Sequence, residues 1–425
     1  MRLNNKIFKN ASWIIVCRIV QMIINLVVGM LSARLLGPSN YGLINYACSI
    51  VAFAVPVMQL GLSSIMVHEL MKDPDNEGEI LGTSICMSLV SSLLCVVGVT
   101  AFAMVANAGE QETIVVCILC SMVLVFQSIE LVLYWFQAKL WSKYTAIVMF
   151  FAYIVTAVYK IILLLTGKNV YWYAISQSID YALIAMGFLY FYRKKGGQKF
   201  SVSLSRAKSL FSQSHHYIAS ALMVTLFSQT DRVMIKNMLD DAATGFYSCA
   251  VTCVGMTNFV FAAIIDSMRP SIFENKHQSK EKYENAIEVL YCIIIYLALA
   301  QSAAMMILAK PIISLLYGVE YISAIPVLQI MVWYTTFSYI GAVRNIWILA
   351  ENKQKYLWKI NLIGAITNII LNYVMIPILG INGAALATVI TQLFTNVVLG
   401  CLLTPIRYNN RLMLGGLNIR KQLKQ

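Results

Sequence analysis

Seven charged residues lie in stretches otherwise too apolar to hold them: Arg18, Lys160, Arg232 and Arg344, with Glu130, Asp180 and Asp231. A charged side chain in hydrocarbon costs about 3 kcal/mol or more, so each should meet a polar interior, a partner or a membrane edge. Arginine brings a fixed charge and forked donors, which suit phosphate or carboxylate. An embedded carboxylate brings the converse, a place for a proton or a cation, or a counter-charge for a nearby base. Asp231 and Arg232 are adjacent, so on a helix they point in different directions and are not expected to pair with each other. Gln21, Asn25, Gln59 and Asn258 also stand in apolar runs, where they could meet hydroxyl groups or bond helix to helix.

The elements that carry these residues follow from composition. The chain has 425 residues, is 59% hydrophobic and only 12% charged, about half the charge of a soluble protein. Apolar runs of bilayer-spanning length recur from end to end, and their continuous apolar character predicts helices instead of the alternating strands of a barrel. Twelve spans are expected: 11–33, 42–67, 80–106, 113–137, 144–166, 170–192, 216–238, 245–268, 286–308, 322–348, 357–378 and 382–404. With the N-terminus inside, 24 of the 32 basic residues fall in inner segments, and only Arg34, Lys168, Lys236 and Lys310 fall in outer loops. That asymmetry predicts a multi-pass protein with both termini cytosolic. It also explains the net charge of +13 without nucleic acid. The segment 193–215, opened by Arg193-Lys194-Lys195, reads as a cytosolic basic linker between spans 1–6 (1–192) and spans 7–12 (216–404), with a basic tail over 405–425. Attraction to anionic lipid is the expected use of such clusters.

On this topology Arg18 lies about seven residues, roughly 10 Å, into the first span. It either lines a polar interior or snorkels to the interface. Arg344 lies toward the cytosolic end of span ten beside Asn345; it either binds substrate or pairs with Glu130 at similar depth. Arg269, beside Pro270, is either a charge at a cavity mouth or a topology signal. Asp231, Glu130 and Asp180 are candidates for proton or cation coupling, or for pairing with Arg or Lys. Lys160 sits near the outer end of span five.

The sequence also repeats. Leu36, Gly42 and Ala47 are echoed 203 positions later by Leu239, Gly245 and Ala250. Lys143-Tyr144 is echoed by Lys355-Tyr356, and Gly167, Asn169 and Ala174 by Gly380, Asn382 and Ala387. Both halves start inside and hold an even number of spans, so the repeat is parallel.

Three stretches resemble the polysaccharide flippases of the multidrug/oligosaccharidyl-lipid/polysaccharide (MOP) superfamily. They are Ala33 to Ala47 (ARLLGPSNYGLINYA), Asp231-Arg232 with Gly245-Phe246-Tyr247-Ser248, and Asn372 to Ala387 (NYVMIPILGINGAALA). The resemblance covers essentially the whole chain. It implies an all-α polytopic membrane protein with two six-helix lobes around a central cavity, as in the multidrug and toxin extruders (MATE). It also implies a flippase that moves undecaprenyl-diphosphate oligosaccharide repeat units to the outer leaflet of the bacterial inner membrane by alternating access. The absence of two extra spans favours the O-antigen, capsule or exopolysaccharide branch over lipid II. On this reading Arg18, Arg344, Arg269, Gln21 and Asn25 contact substrate. Asp231, Arg232, Glu130 and Asp180 couple to Na+ or H+ or form an internal charge network. Polymerase and other polysaccharide-assembly proteins are potential partners, with membrane lipids.

Two other classes compete. A multidrug extruder has the same architecture, but cationic cargo prefers an acidic cavity, and here the bases more than two residues inside a span number four against three acids. A membrane glycan polymerase or ligase needs a sizeable outer catalytic loop; the outer loops here are short and hold no paired carboxylates or nucleophile triad. No glycine-rich phosphate loop ending in Lys-Ser/Thr is present, which argues against ATP hydrolysis. Neither a metal centre nor a cofactor is expected.

Overall fold

A computed structural model describes the backbone of residues 2–418 and the side chains of residues 21–418. Arg18 and the basic residues of the extreme C-terminus, Arg420, Lys421 and Lys424, therefore lie outside the described side chains.

Among the described residues the secondary structure is helical, without strands. The run Arg2–Met58 is broken at Gly37 (φ 74°, ψ 168°), giving α1 before the break and α2 after it. Gly37 takes the conformation that L side chains resist, and Pro38 then suits the first turn of α2 because its missing N–H would have had no helical partner. The following spans are α3 (Glu77–Ala106), α4 (111–138), α5 (Ser142–Leu165) and α6 (170–194). Then come α7 (Leu204–Met238), α8 (241–278), α9 (Lys280–Ile307), α10 (Ala324–Ala350), α11 (Leu357–Leu379) and α12 (381–402). A short helix, α13 (Arg407–Gly416), closes the described chain.

Nine helices among the described residues are long and apolar enough to cross a bilayer, one of them the run Gln21–Met58 that contains the α1–α2 break. Neither α7 nor α10 is among those nine. These two carry Asp231, Arg232 and Arg344 and are also rich in Ser, Thr, Gln and Tyr, so polar residues of both kinds lower their hydropathy.

The repeat is visible in the backbone. Gly167, before α6, and Gly380, before α12, both have positive φ, 62° and 59°. Asp240 caps α8, its Oδ1 accepting from the Ala243 N–H at 2.7 Å. Such a cap satisfies one of the free amides at a helix start.

The chain forms two compact units, residues 1–225 and 226–425. In the first, Trp135, Phe136, Phe188 and Tyr192 centre a buried cluster with Leu62, Met66 and Leu81. In the second, Tyr291, Ile294, Val343, Trp347 and Ile348 do the same. There α13 packs on α9, with Tyr291 and Asn409 exchanging hydrogen bonds of 2.8–3.1 Å.

The basic segment 193–215 is more ordered than a linker reading suggests. Its residues 198–203 lie along the start of α3, and α7 already begins at Leu204. The Gly78 N–H donates to Gln198 Oε1 at 2.9 Å, and the Ser203 N–H donates to Thr83 Oγ1 at 3.1 Å. Gly78 and Gly82 allow this approach, because a Cβ at either would collide with the backbone of Lys199 or Ser201. Arg206 then clamps the corner, donating to Asp73 at 2.7 Å and to Glu79 at 3.3 Å.

Candidate functional site

The second unit holds two polar clusters on one helix, α12. The first surrounds Asp231 of α7, which is 6% exposed. Its carboxylate accepts from the Tyr247 hydroxyl of α8 at 2.5 Å, from Asn372 Nδ2 of α11 at 2.6 Å and from Thr388 Oγ1 of α12 at 2.8 Å. All three partners are neutral, and no Lys or Arg pairs with Asp231 among the described residues. Thr388 also lies 3.0 Å from the Ala384 carbonyl, and its single proton cannot serve both acceptors at once. Asn372 Oδ1 and Asn368 Nδ2 are buried without a partner. Buried polar atoms are nearly always satisfied, so this cluster has oxygen ligands and donors in reserve. Arg232 turns away from Asp231, its Nε donating to Ser248 Oγ at 3.1 Å and its Nη1 to Gln229 Oε1 at 2.8 Å.

The second cluster surrounds Arg344 of α10, which is 3% exposed. Its Nη1 donates to the Thr395 carbonyl at 2.7 Å and its Nη2 to Asn345 Oδ1 at 3.3 Å, while Nε has no partner. No carboxylate pairs with it among the described residues. The guanidinium lines a cavity of about 280 Å³ together with Asn345, Asn361, Gln392 and Asn396. Residues 394–398 of α12 form a π turn, a local widening of the helix that recurs at functional sites, and the Thr395 carbonyl lies inside it. Gly341 lets α10 and α12 approach here, since a Cβ would overlap the Asn396 side chain. Thr388 and Thr395 are seven residues apart, so the two clusters lie two turns, about 10 Å, apart along α12.

The first unit holds the remaining acids. Asp180 accepts from Thr156 Oγ1 at 3.2 Å, and Lys160 is close enough to interact with it electrostatically. The Lys160 ammonium also sits 5.8 Å from the Tyr173 ring centre. Glu130 and Gln59 meet in a cavity of about 250 Å³.

The other candidates are scattered. Arg269 is largely exposed and pairs with Asp266 one turn earlier at 3.0 Å. Gln21 is half-buried and Asn25 exposed on α1. Asn258 accepts from the Tyr339 hydroxyl at 2.6 Å. Sequence reasoning passed over Tyr247, Asn368, Thr388, Gln392 and Asn396 as site residues. A signal existed, because Asn368 and Asn372 are one turn apart, as are Thr388, Gln392 and Asn396 in succession.

Comparison with known proteins places this geometry. Residues 7–276 match the family described as "Polysaccharide biosynthesis protein". The chain belongs to that family. It is 22% identical over 398 residues to the capsular polysaccharide biosynthesis protein CapF of Staphylococcus aureus, covering 90% of this chain and 96% of the relative. Its fold matches the lipid II flippase MurJ in an inward closed conformation, with a TM-score of 0.77 at 16% identity over 95% of this chain and 90% of that one. It also matches an inward-facing multidrug resistance MATE family transporter of the MOP superfamily, with a TM-score of 0.66 at 16% identity over 92% and 95% of the two chains. The chain thus has the all-α, multi-pass membrane fold of that superfamily.

Proposed function

We propose that this protein is a flippase for a lipid-linked glycan, with an undecaprenyl-diphosphate oligosaccharide as substrate. It carries the unit from the cytosolic to the outer leaflet of the bacterial inner membrane, with both its termini cytosolic. The single observation that carries the reading is Arg344, a buried guanidinium with an unpartnered Nε, facing a cavity lined by amides and lacking a paired carboxylate. Such a site suits an anion whose charge replaces the missing counter-ion. Its volume is at the small end for ligand pockets, which fits a diphosphate head and leaves the prenyl tail in lipid.

In this reading the six-helix lobes 1–192 and 216–404, joined by the basic segment 193–215, alternate access to a cavity between them. Asp231 is the coupling carboxylate. Its neighbours Asn368, Asn372 and Thr388 supply hard oxygen ligands that suit Na+, or the carboxylate takes a proton. Because α12 carries both clusters on one face, filling one would shift the helix that shapes the other. Arg18 adds positive charge to the path, while Arg269 is offset by Asp266, and the protein does no covalent chemistry. Polymerase and other polysaccharide-assembly proteins would receive the product.

The test is deletion followed by leaflet-resolved analysis of lipid-linked oligosaccharide. The expected result is precursor retained on the cytosolic leaflet and loss of surface glycan. Unchanged surface glycan with no retained precursor overturns the reading. The multidrug alternative draws on Glu130 and Asp231, two carboxylates without a paired base; efflux of cationic dyes that disappears on deletion would favour it.

A further inference from the structure

We propose that the Glu130 cavity is a subsite for one neutral pyranose ring, and that Glu130 makes it reject acidic sugars. The proposal rests on the flippase reading and names the part of the substrate that the first unit would hold.

The cavity exists because α4 is not a regular helix. It runs as Gln111–Ser121 and Val123–Gln127, tightens into a 3₁₀ turn at Ser128–Leu131, and resumes as Val132–Ala138. In a 3₁₀ turn residues i and i+3 eclipse, which sets Gln127 and Glu130 on one face. Tyr134 follows one turn later, and Gln127 is hydrogen-bonded to Glu130. Gln59 arrives from the end of α2, where Leu60 and Gly61 take φ of 51° and 70°. That turn is fastened by α7, with Ser214 Oγ donating to the Leu60 carbonyl at 2.7 Å. A Cβ on Gly61 would strike the Ser214 backbone, so the glycine is required for the turn to dock.

The result is a cavity of about 250 Å³ lined by Gln59, Ser88, Gln127, Glu130, Tyr134 and Tyr181. All of these polar side chains but Ser88 keep part of their surface exposed, and the one apolar lining residue, Leu131, is buried. Two primary amides and two phenols can each donate and accept, and an ionised carboxylate accepts only. A pyranose presents the matching pattern, hydroxyls that donate once and accept as well. A carboxylate–hydroxyl bond is charge-assisted and anchors the ring. Among the described residues, the titratable groups within electrostatic reach of Glu130 are Tyr134, Tyr153, Tyr181 and Asp180, none of them a base. Where Glu130 is ionised, a uronic acid meets like charge there. The Asp231 cluster shows the contrast: its carboxylate is closed over by three of the protein's own donors. A proton or bare cation needs no cavity of this size.

The test uses purified full-length protein in nanodiscs. Saturation-transfer NMR would be run with methyl glucoside, N-acetylglucosamine and glucuronate, and inorganic pyrophosphate binding would report separately on the Arg344 cavity. Wild type should bind the two neutral sugars and hold glucuronate about 10-fold more weakly, the size of one charged hydrogen bond lost. Glu130→Gln should bring glucuronate close to the neutral sugars. Gln59→Ala and Tyr181→Phe should each weaken neutral-sugar binding severalfold. Pyrophosphate binding should not change in any variant, and a wild-type thermal unfolding profile shows that each one folds.

Neutral sugars that fail to bind while pyrophosphate binds would overturn the subsite alone. Sugars that bind while pyrophosphate does not would overturn the anion-site reading and keep the subsite. If Glu130→Gln abolishes the ion dependence of transport but leaves sugar discrimination intact, the carboxylate is a coupling group and the proposal fails.

Discussion

Replacing Arg344 by Met separates an arginine that binds substrate from one that braces the fold. Met keeps the unbranched apolar stem and removes the charged guanidinium head. The hydrogen bond from Nη1 to the Thr395 carbonyl is lost, which costs about 1.5–3 kcal/mol for a charged donor. Against this, a guanidinium that is 3% exposed and has no paired carboxylate is relieved of its desolvation, several kcal/mol even after relaxation. Buried ionic groups replaced by apolar ones of similar size are often neutral to about 4 kcal/mol more stable. For a unit of some 200 residues each kcal/mol moves Tm by roughly 2–4 °C, so Arg344→Met should melt at the wild-type temperature or several degrees above it. On the proposed flippase reading, transport should fall about 10- to 100-fold, because at least one charge-assisted bond to an anionic head group would disappear. The assay pairs thermal unfolding in detergent with translocation of a labelled lipid-linked oligosaccharide in proteoliposomes. A Tm lowered by more than about 5 °C with transport per folded molecule unchanged would refute the reasoning and make Arg344 a brace for the π turn.

Two further outcomes follow from the same structure. Asp231→Asn keeps the side-chain volume and removes the charge, so thermal stabilisation by Na+ over choline should vanish while the protein still assembles; stabilisation that persists in the variant would place the ion elsewhere. At the corner of α3 and α7, the Arg206 guanidinium and then Asn76 hold the Asp73 carboxyl below its usual range. A lowered folded value means that this contribution to stability is present above the ordinary Asp range, near pH 3.9, and is lost as pH falls through the lower folded value. Pepsin should therefore begin to cut within residues 198–203 only in strong acid. Asp73→Asn should open the same segment to a neutral protease at pH 7, and equal resistance of variant and wild type would show that the strap is held by Gln198 and Ser203 instead.

Much of the fold could be read in advance because bilayer physics leaves few choices. Every expected span overlaps a helix, although the second, 42–67, is cut short at Met58 by the turn at Leu60-Gly61, and Gly37-Pro38 marks its turn through chemistry that hardly any other dipeptide supplies. The charged candidates were legible for the same reason, since an Asp or Arg in an apolar run has to be accommodated. What the sequence hid is which face each residue takes. Hydrophobic periodicity normally assigns faces, but in these spans apolar residues point both inward and toward lipid, so the period is silent. The two non-α turns then rotate the register locally. The π turn at 394–398 brings the Thr395 carbonyl to Arg344, and the 3₁₀ turn at 128–131 stacks Gln127 on Glu130. Neither turn contains a proline or glycine to announce it. The docking of the segment 193–215 was hidden for a different reason. Its charge marks a side of the membrane, but its docking depends on two bare glycines of α3, Gly78 and Gly82, more than 110 residues away. Glycines one turn apart in a helix reveal that some backbone comes close, not which one. Sequence therefore locates the charges, while the breaks in helical geometry decide what those charges can bind.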